Sequence, residues 1–406
     1  MRAIYKVGGL FLILFIAFSS PPLTAETPSN DRTLVQGNST FALELYQQLC
    51  SSDSNIFFSP YSISTALAMT YAGARSETEK QMGKVMHFSL SQDKLHLAFS
   101  NLQDKLNKIH EEGEVRLYIA NSLWPHKEYP FKKEFLELIK ENYKTPITAL
   151  DYAKQTEEAR KTINSWVEEK TMDKIKELIK PGILDPLTRL VLANAIYFKG
   201  NWANQFDKKN TRHMLFKVSP DKTVKTPMMY QKEKFGYWSD EDLQVLEIPY
   251  AGDRLSMVVL LPTKNDGLSQ IEKKLTVENL RKWTDKLRKK KVETWLPKFK
   301  MEYSLRLEKV LHAMGMVDAF TEDADLSGMD GTDWLYISAV LHKAFVDINE
   351  EGTEAAAATA VVVGRKAVRI TPQFRADHPF VFLIKEKQTG SILFMGRMID
   401  PTITSI

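Results

Sequence analysis

HKAFVDINEEGTEAAAATAVVVGRK, residues 342–366, passes through an acidic hinge at Gly352 into a run of tiny residues and ends on two bases. Ala355, Ala356, Ala357 and Ala358 are consecutive, and Val361, Val362 and Val363 follow as β-branched residues, so the segment is small first and strand-favouring afterwards. At period two, Thr353, Ala355, Ala357, Thr359 and Val361 share one face, and Glu354, Ala356, Ala358 and Ala360 share the other. The first face is small and uncharged. It fits a gap between two strands of an existing sheet without overpacking the layer beneath, while the charge of Glu354 stays on the opposite side. Local propensity equally allows an alanine-rich surface helix, and the rest of the chain decides between the two.

The chain has 406 residues, 43% of them apolar, and a net charge of +4. That apolar share fills a sizeable core, and so small a charge on so long a chain does not by itself imply a polyanionic partner. No Gly/Ser/Pro-rich linker, low-complexity tract or fixed repeat marks a boundary, so one large domain over residues 26–406 is expected. Residues 1–25 read as a signal peptide: Arg2 and Lys6 precede an apolar run over residues 8–18, then Pro21, Pro22 and Ala25. The run is too short for an ordinary membrane-spanning helix. Cleavage is expected after Ala25, although Leu23 is not the small residue preferred two positions earlier. A secreted monomer follows, or a periplasmic one in a bacterium, with no membrane contact once the leader is gone. Cys50 is the sole cysteine, so no intramolecular disulfide can form and stability must come from packing. Asn38-Ser39-Thr40 is a glycosylation sequon.

Along the chain, Ser59-Pro60 caps and starts a helix that runs to about Tyr71, and Ser76 with Glu79 forms a capping-box pattern for the next. Residues 157–169 read as an amphipathic surface helix with Ile163 and Trp166 on one side. Residues 115–124 and 189–198 read as strands, the second almost continuously apolar and so buried on both faces. Hairpins are predicted over residues 244–262 and 380–398. Helices and strands are interspersed without a strict βαβ rhythm, which gives an α+β class and argues against a Rossmann or barrel fold. There is no G-x-S-x-G elbow, H-E-x-x-H pair or phosphate loop, and the eight histidines are scattered. Neither an enzyme nor a metal, cofactor or nucleic-acid site is expected.

The hinge block HKAFVDINEEGTEAAAATA (residues 342–360) and ADHPFVFLIKEKQTGSILFMGRM (376–398) resemble the C-terminal region of serpins, the serine protease inhibitor family that includes antitrypsin. NIFFSPYSISTALAMTYAGARSETEKQM (55–82) is similar to the family's second helix and entrance strand, and LVLANAIYFKGNWANQFD (190–207) to the segment carrying a central-sheet strand and buried tryptophan. The resemblance implies a large central mixed β-sheet, two smaller sheets, about eight or nine helices and an exposed reactive loop over residues 350–370. It also implies suicide inhibition. A protease attacks the loop, forms an acyl-enzyme, and is dragged away as the cut loop inserts into the central sheet before deacylation.

Carried over residue by residue, the resemblance places the reactive bond at Lys366–Ala367, with Arg365 as the rival one bond earlier and Arg369 as an outsider. A lysine there suits an acidic primary pocket and points to trypsin-like serine proteases. The hinge comprises Glu350, Gly352, Thr353, Glu354, Ala355, Ala356, Ala357 and Ala358. Ser59, Asn194 and His342 match positions beneath the central sheet where its middle strands part, and Trp202 and Lys343 match its top, where the loop first inserts. Glu350 and Lys298 match a pair that bridges the loop base to a neighbouring strand. Some serpins respond to polyanions, and Arg281, Lys282, Lys286, Arg288, Lys289, Lys290 and Lys291 form the one basic cluster here. Lys282, Lys286 and Lys289 are at helical spacing near Trp283 and Leu287, which allows a basic helical face, but a merely solvated face is the preferred reading and polyanion binding is not expected. The region after Leu95, where heparin-binding relatives carry bases, has only Lys105 and Lys108. Two other functions stay open: a non-inhibitory carrier or chaperone, against which the uniformly small hinge argues, and inhibition of cysteine proteases.

Overall fold

The computed structural model describes residues 29–404 apart from 52, 146 and 354–370. Its helices are α1 (Ser29–Leu49), α2 (Pro60–Tyr71), α3 (Ser76–Val85), α4 (Gln92–Glu111), α5 (Lys133–Tyr143), α6 (Tyr152–Lys170), α7 (Leu268–Lys274), α8 (Val277–Asp285), α9 (Glu308–Ala313) and α10 (Ser327–Asp330). The strands are β1 (Ile56–Phe58), β2 (Val115–Pro125), β3 (Leu190–Asn201), β4 (Arg212–Lys217), β5 (Thr223–Ser239), β6 (Leu243–Pro249), β7 (Leu255–Pro262), β8 (Arg288–Pro297), β9 (Phe299–Arg306), β10 (Ala339–Ile348), β11 (Gly352–Thr353), β12 (Gln373–Arg375), β13 (Phe380–Glu386) and β14 (Ile392–Met398).

Five strands form the central mixed sheet in the order β2-β3-β11-β10-β9. β3 and β10 run parallel and pair directly from Ala339–Val191 to Phe345–Tyr197, and the two-residue β11 wedges between them above that point. β3 is buried on both faces, as its apolar run predicts. Leu190, Leu192, Ile196 and Phe198 enter the larger core, while Val191, Ala193, Ala195 and Tyr197 face a second cluster built with Trp124, Ile163 and Val167 under α6. The remaining nine strands form one hydrogen-bonded sheet, eight of them in the order β1-β14-β13-β7-β6-β5-β8-β12, with β4 paired to β5 off that path. β5 is 17 residues long, pairing with β4 over residues 223–228, with β8 over 228–237 and with β6 over 236–239, and so carries the two smaller sheets of the expectation into each other. α2 is buried along its whole length, starting from Pro60 at the first helical position, with the Ser59 hydroxyl accepting from the Ser62 N–H.

One local reading needs correction, and one motif left open is found buried. The Ser76–Glu79 capping box does not form, because Ser76 sits at φ 52° and its hydroxyl donates to Asp325 at 2.6 Å, leaving Arg75 at the cap position. A tertiary carboxylate outcompetes the local motif. The sequon asparagine lies inside α1 with its side chain buried, accepting from Ser64 Oγ at 2.6 Å, so the folded protein does not offer it to a glycosyltransferase.

Candidate functional site

The site is the place where β3 and β10 part. Ile348 and Thr353 face each other at the start of β11, and Gly352 and Thr353 pair in turn with Asn201 and Gly200 of β3. Gly352 is at φ 149°, and a Cβ there would lie 2.1 Å from the Gly200 carbonyl oxygen, so no other residue fits without displacing the hinge. Gly352→Ala is expected to expel β11 from the sheet and to lower stability by about 1–3 kcal/mol, read by denaturant unfolding. Thr353 is fully buried, and its hydroxyl meets the Tyr250 hydroxyl at 3.0 Å. Tyr250 stacks on Trp202 at 4.6 Å between ring centres. The Trp202 indole N–H donates to the Asn349 carbonyl and its backbone N–H to Glu351 O, so the indole holds the turn that feeds the hinge.

The hinge base is tied from the other side. Lys298 donates to Glu350 Oε2 at 3.0 Å, Thr211 to Glu350 Oε1 at 2.8 Å, and Lys208 pairs with Glu351 at 2.5 Å. Burial works to raise the Glu350 carboxyl, but a backbone N–H, Lys298 and Thr211 together hold it below the usual carboxylate range.

Deeper in the sheet, Asn121 of β2, Asn194 of β3 and His342 of β10 stand in one register row. The Ser59 N–H donates to His342 Nε2 at 3.1 Å, which leaves the proton on Nδ1, donated to Asn194 Oδ1. Asn194 Nδ2 donates to Ser62 Oγ at 2.6 Å and to Asn121 Oδ1, while Ser62 Oγ donates to Asn121 at 2.9 Å. Burial drives the imidazole pKa down to about 3, so the ring is neutral. A strand entering between β3 and β10 must break the Asn194–His342 hydrogen bond, while the remaining bonds on each side can persist. Sequence reading found Ser59, Asn194 and His342 and missed Asn121, Ser62, Tyr250 and Thr211. An asparagine in the middle of an apolar strand, and a serine three residues beyond a cap serine on a buried helix, were the available signals.

Lys343 is not at the top of the sheet. It pairs in register with Ala195, below the point where Thr353 meets Gly200, and alternation turns it to the face opposite His342. There its ammonium, nearly buried, donates to the Lys176 carbonyl at 2.6 Å and pairs with Glu302 at 2.5 Å. The basic helical face also fails to form. α8 ends at Asp285, Lys286 is its cap residue, and Arg288, Lys289, Lys290 and Lys291 belong to β8. Lys286 lies over the Trp238 ring and Lys290 over Tyr237, so the cluster is divided among a helix end and two faces of a strand. Arg281 and Lys282 remain exposed on α8. The reactive-bond residues Lys366, Ala367 and Arg365, and the hinge residues Glu354, Ala355, Ala356, Ala357 and Ala358, lie outside the described residues.

A model of the family described as Serpin (serine protease inhibitor) matches residues 36–401. Human Serpin B8 is 46% identical over 375 residues, covering 91% of this chain and 99% of that protein. The bovine leukocyte elastase inhibitor is 44% identical over 378 residues, covering 91% and 99%. Among solved structures, uncleaved ovalbumin superposes with a TM-score of 0.84 at 34% identity, covering 91% of this chain and all of that one.

Proposed function

This chain belongs to the serpin family of protease inhibitors, and from that premise we propose that it is a secreted suicide inhibitor of trypsin-like serine proteases. The observation that carries the reading is the parted sheet: Gly352 and Thr353 are already seated between β3 and β10, which close on each other directly beneath. The protease serine attacks the Lys366 carbonyl, the bond to Ala367 breaks, the Ala367 amine takes up a proton, and an acyl-enzyme remains. Thr353 keeps its place opposite Gly200 while the residues after it enter the slot, exchanging β3–β10 pairing for two new ladders. Continuing the register of Thr353 with Gly200 brings Thr359 opposite Asn194, where a hydroxyl can replace the His342 ring as the hydrogen-bond partner of that asparagine. The same register brings Val363 to Leu190, the first residue of β3. A loop cut after Lys366 therefore spans the whole strand, as does one cut after Arg365, and Lys366 is preferred on the loop length that the family resemblance implies. The driving force is burial and strand pairing that the intact chain forgoes. Secretion rests on the basic-then-apolar order of residues 1–25.

Incubation with trypsin, plasmin and leukocyte elastase, followed by denaturing gels and mass analysis of the released peptide, tests this. A stable complex with trypsin or plasmin and a peptide beginning at Ala367 is expected. A start at Lys366 moves the bond to Arg365. A complex with elastase alone and a start at Gly364 replaces the trypsin-like assignment by the target named in the bovine relative. Clean cleavage without complex by all three overturns the inhibitory reading in favour of a carrier.

A further inference from the structure

The two edges of the central sheet are closed unequally. Along β2 the segment 147–150 forms parallel bridges from Ile147 to Leu123 and from Leu150 to His126. There the Leu150 N–H donates to Pro125 O and the Lys127 N–H to Leu150 O, both at 2.9 Å. Along β9, among the described residues, stands the end of the chain, whose Thr404 carbonyl accepts from the Glu302 N–H at 2.8 Å. That bond fixes the parity of the strand. Because the Glu302 N–H points away from β10, so do those of Lys300 and Ser304, two positions to either side. Among the described residues neither meets an acceptor there, and both residues are exposed. An open row of donors and acceptors on a strand edge is a template for another strand.

The tail is anchored away from the sheet it covers. Buried Asn55, beside β1, accepts from the N–H groups of Ile399 and Asp400 at 2.7 and 2.9 Å and donates to the Asp400 carbonyl at 2.7 Å. The Asp400 carboxylate pairs with Lys222 at 2.7 Å, and it accepts from the Thr402 N–H at 3.0 Å and from the Thr402 hydroxyl at 2.6 Å. These contacts fix the chain as far as Thr402, and the two residues after it reach β9.

We propose that Ile403 and Thr404 cover the outer edge of β9 and so keep it from pairing with the same edge of a second copy of this chain. A second copy is the partner this edge fits, because the edge is self-complementary. Antiparallel pairing about Tyr303 sets Met301 opposite Leu305, continuing the face on which Met301 and Tyr303 are buried, and sets Glu302 opposite Ser304 on the wetter face. The like-charged Lys300 and Arg306 meet at the two ends of such a ladder, so the dimer is a weak one that a short tail can prevent. The inference stands whether or not the chain inhibits a protease.

Amide hydrogen exchange resolved to single residues tests the cover on the full chain. Corrected for intrinsic rates, Glu302 should exchange at least about tenfold more slowly than Ser304, since the tail holds the first amide and leaves the second open. Sedimentation from submicromolar to tens of micromolar protein then compares the full chain, the chain ended at Thr402, and that shortened chain carrying Ser304→Pro. The shortened chain keeps every contact of Asn55, Lys222 and Asp400 named above, so its unfolding midpoint should match that of the full chain. The full chain should stay monomeric, and the shortened one should form a dimer whose share rises with concentration. Proline at position 304 removes an outward N–H and leaves the β9–β10 ladder intact, so it should return the shortened chain to monomer. Equal exchange at Glu302 and Ser304, a shortened chain monomeric throughout, dimers that survive Ser304→Pro, or a full chain already dimeric would each overturn the proposal.

Discussion

Replacing Thr353 by arginine should convert the inhibitor into a substrate. Thr353 is the leading residue of the inserted segment, fully buried between β3 and β10, with its hydroxyl on Tyr250 and the Trp202 ring stacked behind. The partner of that hydroxyl is a neutral phenol, so a guanidinium would be buried without a counter-charge from it or would hold the hinge outside the sheet. An uncompensated buried charge costs at least about 3 kcal/mol, and 1.36 kcal/mol corresponds to tenfold in rate. Insertion should therefore slow by about two orders of magnitude or more, while acylation at the distant reactive bond is untouched. Because trapping is a race between insertion and deacylation, the number of inhibitor molecules consumed per protease should rise from near one to the tens, and the gel-stable complex should vanish. The peptide released should be the same as in the wild type. Thr353→Val, which keeps size and removes only the hydroxyl, should retain inhibition. A Thr353→Arg protein that still titrates protease one to one would sink the insertion mechanism.

What could be read from the chain divides by the range of the interactions involved. β3 and α2 were legible because a continuous apolar run and a Ser-Pro cap are local signals, and the structure extends the predicted strand by only three residues, to Asn201. Side-chain size alone left the hinge segment open between an inserting strand and a surface helix; Gly352 and Thr353 are seated in the sheet, and Glu354 and Ala355–Ala358 lie outside the described residues. Lys343 was misplaced because a position carried over from a resemblance brings no register with it: pairing with Ala195, five residues before Gly200 on β3, sets it below the insertion point, beside His342 and on the opposite face. The basic face was misread because the spacing of Lys282, Lys286 and Lys289 is helical, yet β8 is imposed by pairing with β5, from Arg288 opposite Tyr237 onward. Asn121 could not be recognised as a partner of Asn194 until the β2–β3 register was known, since the two are 73 positions apart. The fold class and the hinge are properties of segments. The polar row across the sheet is a property of register.

Acidification should open the sheet through His342. The neutral imidazole is fully buried, with pKa driven down to about 3 by desolvation, against about 6.5 in an exposed chain. Any opened state in which the ring reaches water binds a proton that the closed state refuses. The stabilisation of the closed sheet is therefore complete above about pH 6.5 and is lost as pH falls from there toward about 3, by about 1.4 kcal/mol per pH unit. His96, buried against Tyr143 and shifted to about 4, acts in the same direction through desolvation. The hinge tether responds later, because Glu350 is held below the ordinary carboxylate range and keeps its charge on Lys298 through most of this window. Acid should thus part β3 from β10 while the hinge base is still fastened. The measurement is the rate of heat-induced loss of inhibitory activity in buffers between about pH 7.5 and 4.5, for the wild type and His342→Gln. Glutamine can still accept from the Ser59 N–H and donate to Asn194 but cannot titrate, so its rate should be higher than wild type at the neutral end and much flatter toward acid. The His96 contribution is common to both proteins and cancels in their difference. Parallel pH profiles would mean that His342 stays shielded as the sheet opens, and that the row from Ser59 to Asn121 does not part where the register places the incoming strand.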